Sequence, residues 1–178
     1  MKKRMLSLLI ALCMALSLMP VTAFADDVEA THVTVKTAEE LISAVEAATD
    51  GTVISVEGTI EVSQTLYVKS SVIFTGGGVI KAADDFAAKS NNVTDSNLMN
   101  LEVADKTLTL GDVTLDANGK AIALYCNKGK VVVDGAAITG GYSGTYVSGV
   151  YMTAGSQFEM NSGSITGNNS PYTNDGYM

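Results

Sequence analysis

Asp112, Asp116 and Asp134 lie in or beside turns marked by glycine, alanine and asparagine, and paired carboxylates at suitable separation can hydrolyse a glycosidic bond. Asp84 and Asp85 add a further acidic pair. These are the acidic candidates for catalysis or calcium binding. The competing reading is structural, because a short polar side chain at a turn bonds its own backbone, and Asp134 aligns with Asn161 and Gly111 at such a position. Other chemistry is scarce. The only arginine is Arg4 and the only histidine is His32. An arginine-based lyase, a histidine triad and a histidine-rich metal site therefore lack their residues once Arg4 is removed with the leader. No catalytic residue, metal site or cofactor is assigned.

Tyrosine supplies the remaining candidates. Taking Ile122 with Val150 and Leu124 with Met152 as inward pairs, alternation turns Tyr125 and Tyr151 outward on one sheet. Tyr142, Tyr146, Tyr172 and Tyr177 crowd the same half of the chain. Exposed aromatic rings stack on sugars, although solvent-facing tyrosine is also ordinary in strands. Tyr125 and Tyr151 are the candidate ligand-binding pair. Cys126 continues the inward parity, which points to a buried inert thiol more than to a reactive one.

The start of the chain places this chemistry outside the cell. Lys2, Lys3 and Arg4 precede an apolar run from Met5 to Met19, and Ala23-Phe24-Ala25 offers small residues for cleavage. Residues 1–25 read as a secretory signal peptide, since the run is shorter than the roughly 20 residues of a membrane span and Pro20 interrupts it. The expected location is extracellular, in solution or at the cell surface, with no membrane insertion after cleavage. Removal of the leader leaves eight basic and nineteen acidic residues, a net charge of −11. Such a surface repels phosphate backbones and excludes nucleic-acid binding. With Cys13 also removed, no intrachain disulfide can form.

The elements that must position these residues are short. Residues 26–36 read as an N-terminal tether or first strand. Residues 37–50 form a helix, with Thr37 and Glu40 at capping-box spacing and Leu41, Ala44, Val45 and Ala48 on one face. From Gly51 to residue 170 the chain consists of short β-branched runs cut by Gly, Asn and Asp. Four of them share one pattern, two apolar residues two apart and a third five later: Val72-x-Phe74 with Val79, Leu108-x-Leu110 with Leu115, Val131-x-Val133 with Ile138, and Phe158-x-Met160 with Ile165. Leu110 to Val133 is 23 residues and Val133 to Met160 is 27, about the length of a coil of three strands and three turns. Phe74 to Leu110 is 36 residues, because residues 82–97 read as an inserted loop. A β-sandwich also has short strands, but it does not require this recurring spacing. The predicted fold is all-β, a right-handed parallel β-helix solenoid with an N-terminal capping α-helix.

The helix leading into Gly51-Thr52-Val53-Ile54-Ser55-Val56, followed by Gly58-Thr59-Ile60 and Val72-Ile73-Phe74-Thr75-Gly76-Gly77-Gly78, resembles the cap and first coils of pectin-lyase-like β-helix proteins. Residues 149–168, with Gly-Val-Tyr-Met, Phe-Glu-Met-Asn-Ser-Gly and Ile-Thr-Gly-Asn steps, are similar to repeats of secreted adhesin-like bacterial surface proteins. The resemblance implies fold more than function, since that fold hosts lyases, hydrolases, adhesins and phage spikes. The export signal, the repeats and the missing catalytic chemistry lead to the expectation of a non-catalytic module for surface attachment or carbohydrate binding, with a polysaccharide or host surface glycan as partner. The alternatives are a carboxylate-dependent polysaccharide hydrolase or lyase and a structural spacer without ligand. Residues 171–178 form a tail without an apolar cap. A longer solenoid, or end-to-end self-association, is the expectation there.

Overall fold

The computed structural model describes residues 30–86, 96–143 and 147–170. The proposed leader, with Arg4 and Cys13, lies outside the described residues, as do Tyr146, Tyr172, Tyr177 and most of the insertion. Strand β1 (His32–Val35) precedes helix α1 (Ala38–Ala47), and among the described residues twelve more strands follow. They are β2 (Thr52–Val56), β3 (Thr59–Val62), β4 (Leu66–Val68), β5 (Val72–Thr75), β6 (Val79–Ala82) and β7 (Asn97–Leu101) in the first half. The second half contributes β8 (Thr107–Leu110), β9 (Thr114–Asp116), β10 (Ile122–Cys126), β11 (Lys130–Thr139), β12 (Val150–Met152) and β13 (Gln157–Ile165).

Every strand pairing is parallel. The chain returns to the same place at each coil, so β2, β5, β8, β11 and β13 stack as one row, and β4, β7, β10 and β12 as another. A third row is β3, β6, β9 and the far half of β11. The first and third rows form one curled nine-stranded sheet, because β11 pairs with β8 through Lys130–Val133 and with β9 through Ala137–Thr139. The result is an all-β, solenoid-like stack.

Alternation fills the interior. Ile54, Phe74, Leu110 and Val133 occupy one column in register, and Met160 continues it. Val72, Leu108 and Val131 form the next column, continued by Phe158. Ile60, Ile80, Leu115 and Ile138 form the inward column of the third row. All of these except Met160 and Phe158 are buried. The sequence alignment of Val79 with Leu115 is off by one, since Ile80 is the partner of Leu115 and Val79 is opposite Thr114. The step from Phe74 to the next inward residue, Ile80, is six, as it is from Ile54 to Ile60, against five in later coils. Gly76, Gly135 and Gly163 recur in this corner with φ of 104°, 113° and 107°, a conformation that a Cβ disfavours.

The two ends of the stack differ. Leu41, Ala44 and Val45 of α1 are buried against the first coil, and the capping box of Thr37 and Glu40 closes the helix start. In the last described coil Phe158, Met160 and Ile165, which continue the inward columns, are 40%, 43% and 37% exposed. Among the described residues no helix is long and apolar enough to cross a membrane.

Candidate functional site

The outer face of the β4–β7–β10–β12 row carries the aromatic candidates. Tyr125 and Tyr151 are directly opposite in register, with Leu124 facing Val150 and Cys126 facing Met152. The pairing of Ile122 with Val150 expected from sequence is therefore displaced by two residues. A shift of two conserves parity, which is why both tyrosines still leave the core side. Their rings lie 5.3 Å apart between centroids and 5° from parallel. Each ring thus gives one face to the other. Among the described residues β12 ends its row, so no described strand lies beside the far face of Tyr151. Burial, followed by the neighbouring Tyr151, pushes the Tyr125 phenol above its usual range, which keeps it a neutral hydrogen-bonding group.

Two residues that sequence reasoning missed extend this column. Asn100 is opposite Tyr125, and Tyr67 is opposite Asn100, so the outward order is Tyr67, Asn100, Tyr125, Tyr151. Asn100 is buried, and among the described residues its Oδ1 has no hydrogen-bond partner. Nothing in the one-dimensional pattern marks it, because the insertion before β7 hides the coil register.

The acidic candidates are spread over different turns. Asp112 Oδ1 accepts from Thr75 Oγ1 at 2.6 Å and from the Gly76 amide at 2.9 Å, bridging one coil to the preceding one. The Thr75 hydroxyl first, and then the Gly76 N–H, hold its carboxyl below the usual range. Asp116 Oδ1 accepts from the Asn118 amide at 2.8 Å, the short local bond of an Asx turn. Asp134 Oδ1 accepts from Ser162 Oγ at 3.3 Å and is opposite Ser162, not Asn161. The strand pairing is irregular between Val133 and Asp134, and this irregularity skips Asn161. Asp85 accepts from Ser63 Oγ, and Asp84 lies 3.7 Å from Lys120 Nζ. Each carboxylate is thereby engaged with a turn or a neighbouring coil, and no group of three or more His, Cys, Asp or Glu among the described residues is arranged to hold a metal ion.

Cys126 is free and fully buried. His32, in β1, pairs by backbone with Val53. Tyr142 is exposed at an isolated bridge to Asn169. Comparison of the chain with family models, curated proteins and solved structures found no match in any of the three.

Proposed function

We propose that this chain is an exported right-handed parallel β-helix of the pectin-lyase-like type, acting without catalysis in surface attachment or carbohydrate binding. The right hand follows from parallel crossovers, which take that hand in about 98% of cases. Export rests on the basic and apolar start followed by Ala23-Phe24-Ala25. The observation that carries the binding reading is the in-register outer column of Tyr67, Asn100, Tyr125 and Tyr151, which gives phenol edges and one unshared ring face to a ligand. A hydrolase reading has less support, because Asp112, Asp116 and Asp134 accept hydrogen bonds in separate turns.

Neutral and acidic polysaccharides offered to the purified protein test the proposal. Saturable binding without product is the expected result. Turnover abolished by Asp112→Asn or Asp116→Asn would overturn it, and silence on a glycan array with the fold intact would favour a spacer. A second reading, end-to-end association, draws on the exposed Phe158, Met160 and Ile165. Sedimentation tests it: the protein sediments as a dimer at high concentration and Met160→Lys returns it to monomer.

A further inference from the structure

A second concavity lies outside the tyrosine pair. Where α1 crosses β4, a groove of about 360 Å³ opens between helix and sheet. Its floor is apolar, formed by Ile42, Val45 and Leu66. Glu46 from the helix and Gln64 and Lys69 from the coil also line the groove and are exposed, which makes its rim polar. Among the described residues neither Glu46 nor Lys69 is held in an ion pair with another side chain, so both remain open to a ligand. Tyr67 lines the groove and also heads the outer column that continues to Tyr151.

We infer that this groove is the terminal subsite for a neutral glycan chain that continues along the outer face of the β4–β12 row. The inference rests on the carbohydrate-binding reading and deepens it. An apolar floor beside a tyrosine matches the C–H face of a pyranose, and an acceptor, an amide and a donor around the rim match its hydroxyls, which both give and receive hydrogen bonds. The volume is at the small end of the about 300–1,000 Å³ of ligand pockets, which suits a sugar or a disaccharide. Strands stack about 4.8 Å apart, so Tyr67 to Tyr151 spans three steps, about 14 Å, in line with further sugars of an extended chain. Charge selects the class. The rim carries one acid, Glu46, and one base, Lys69, and the chain without its proposed leader carries −11, so a polyuronate is repelled where a neutral glycan is not.

Calorimetry on the intact protein tests this with the tetraoses of cellulose, xylan, mannan and chitin, and with tetragalacturonate as the anionic probe. At least one neutral tetraose binds, and tetragalacturonate does not. Gln64→Ala combined with Lys69→Ala removes two exposed rim side chains and weakens the bound tetraose by about tenfold or more, with circular dichroism unchanged. Tyr151→Ala, at the far end of the column, weakens the tetraose but leaves the matching disaccharide unaffected. A tetraose that binds the double variant as tightly as the parent overturns the groove subsite and leaves the carbohydrate reading standing. Preference for tetragalacturonate overturns the neutral class. Failure of every probe to bind the parent protein overturns the carbohydrate reading itself.

Discussion

At the corner between the first and third rows, neighbouring glycines do different work. A Cβ on Gly76 would lie 2.6 Å from the Val56 carbonyl oxygen and 2.6 Å from Ser55 Oγ, at φ of 104°, whereas a Cβ on Gly77 would meet only Asp112 Oδ2 at 4.0 Å. Gly76→Ala therefore carries a backbone clash as well as conformational strain and costs about 3 kcal/mol, while Gly77→Ala costs about 1 kcal/mol from its positive φ alone. Urea denaturation of the two variants reads the difference, and equal midpoints would remove the close approach from the account. Asp112 is the acidic counterpart at this corner. Its carboxyl is held below the ordinary range by Thr75 and Gly76, so its contribution is fully present above the unfolded carboxylate pKa, about 3.9, and is lost as pH falls through the lower folded value. The melting temperature of the parent should exceed that of Asp112→Ala by a constant margin above about pH 5, and the margin should shrink below about pH 4. A margin that persists at the lowest pH would assign the stabilisation to shape alone. At this scale a turn aspartate could be read from the sequence, but its partner could not, because Thr75 lies 37 residues earlier in the chain.

Helix α1 and the rows of short strands show which signals survive in one dimension. The helix was legible because capping and periodicity agree, with Thr37 and Glu40 at its start and Leu41 and Val45 buried. Leu41→Ala is expected to cost about 3 kcal/mol, since the side chain is wholly buried, and Thr37→Ala about 1 kcal/mol through the lost cap. If α1 only tethered β1 to the stack, both variants would keep the parent's denaturation midpoint. The strand rows were legible through the spacing of inward residues, and Leu110, Val133 and Met160 do share a column. The displacement at Val150 and the slip at Val79 have different causes. A period of two makes registers that differ by two indistinguishable, whereas one extra turn residue shifts the following strand without altering the pattern inside it. The groove had no local signal at all, because Val45 and Leu66 approach each other only after the helix folds back onto the coil.

The whole molecule is a one-dimensional stack in which each coil touches only its neighbours, so stability should vary along the axis. One end is covered by α1, whose Leu41 has no exposed surface, while the last described coil leaves Phe158, Met160 and Ile165 partly in water. Backbone bonds such as Gln157 N to Gly129 O at 2.9 Å and Thr166 N to Ile138 O at 3.0 Å tie that coil, among the described residues, to the preceding one. Hydrogen exchange should follow this asymmetry. Amides of β5 and β8, stacked on both sides, open only with global unfolding, and those of β13 open through local fraying, with protection lower by about two orders of magnitude. The gradient also bears on association. If a second copy covers the open coil, raising the protein concentration slows exchange in β13 while β5 and β8 stay unchanged, because binding protects only the surface it buries. A concentration-independent gradient would assign the isolated stack a frayed end, and uniform protection from β5 to β13 would contradict nearest-neighbour stacking as the source of its stability.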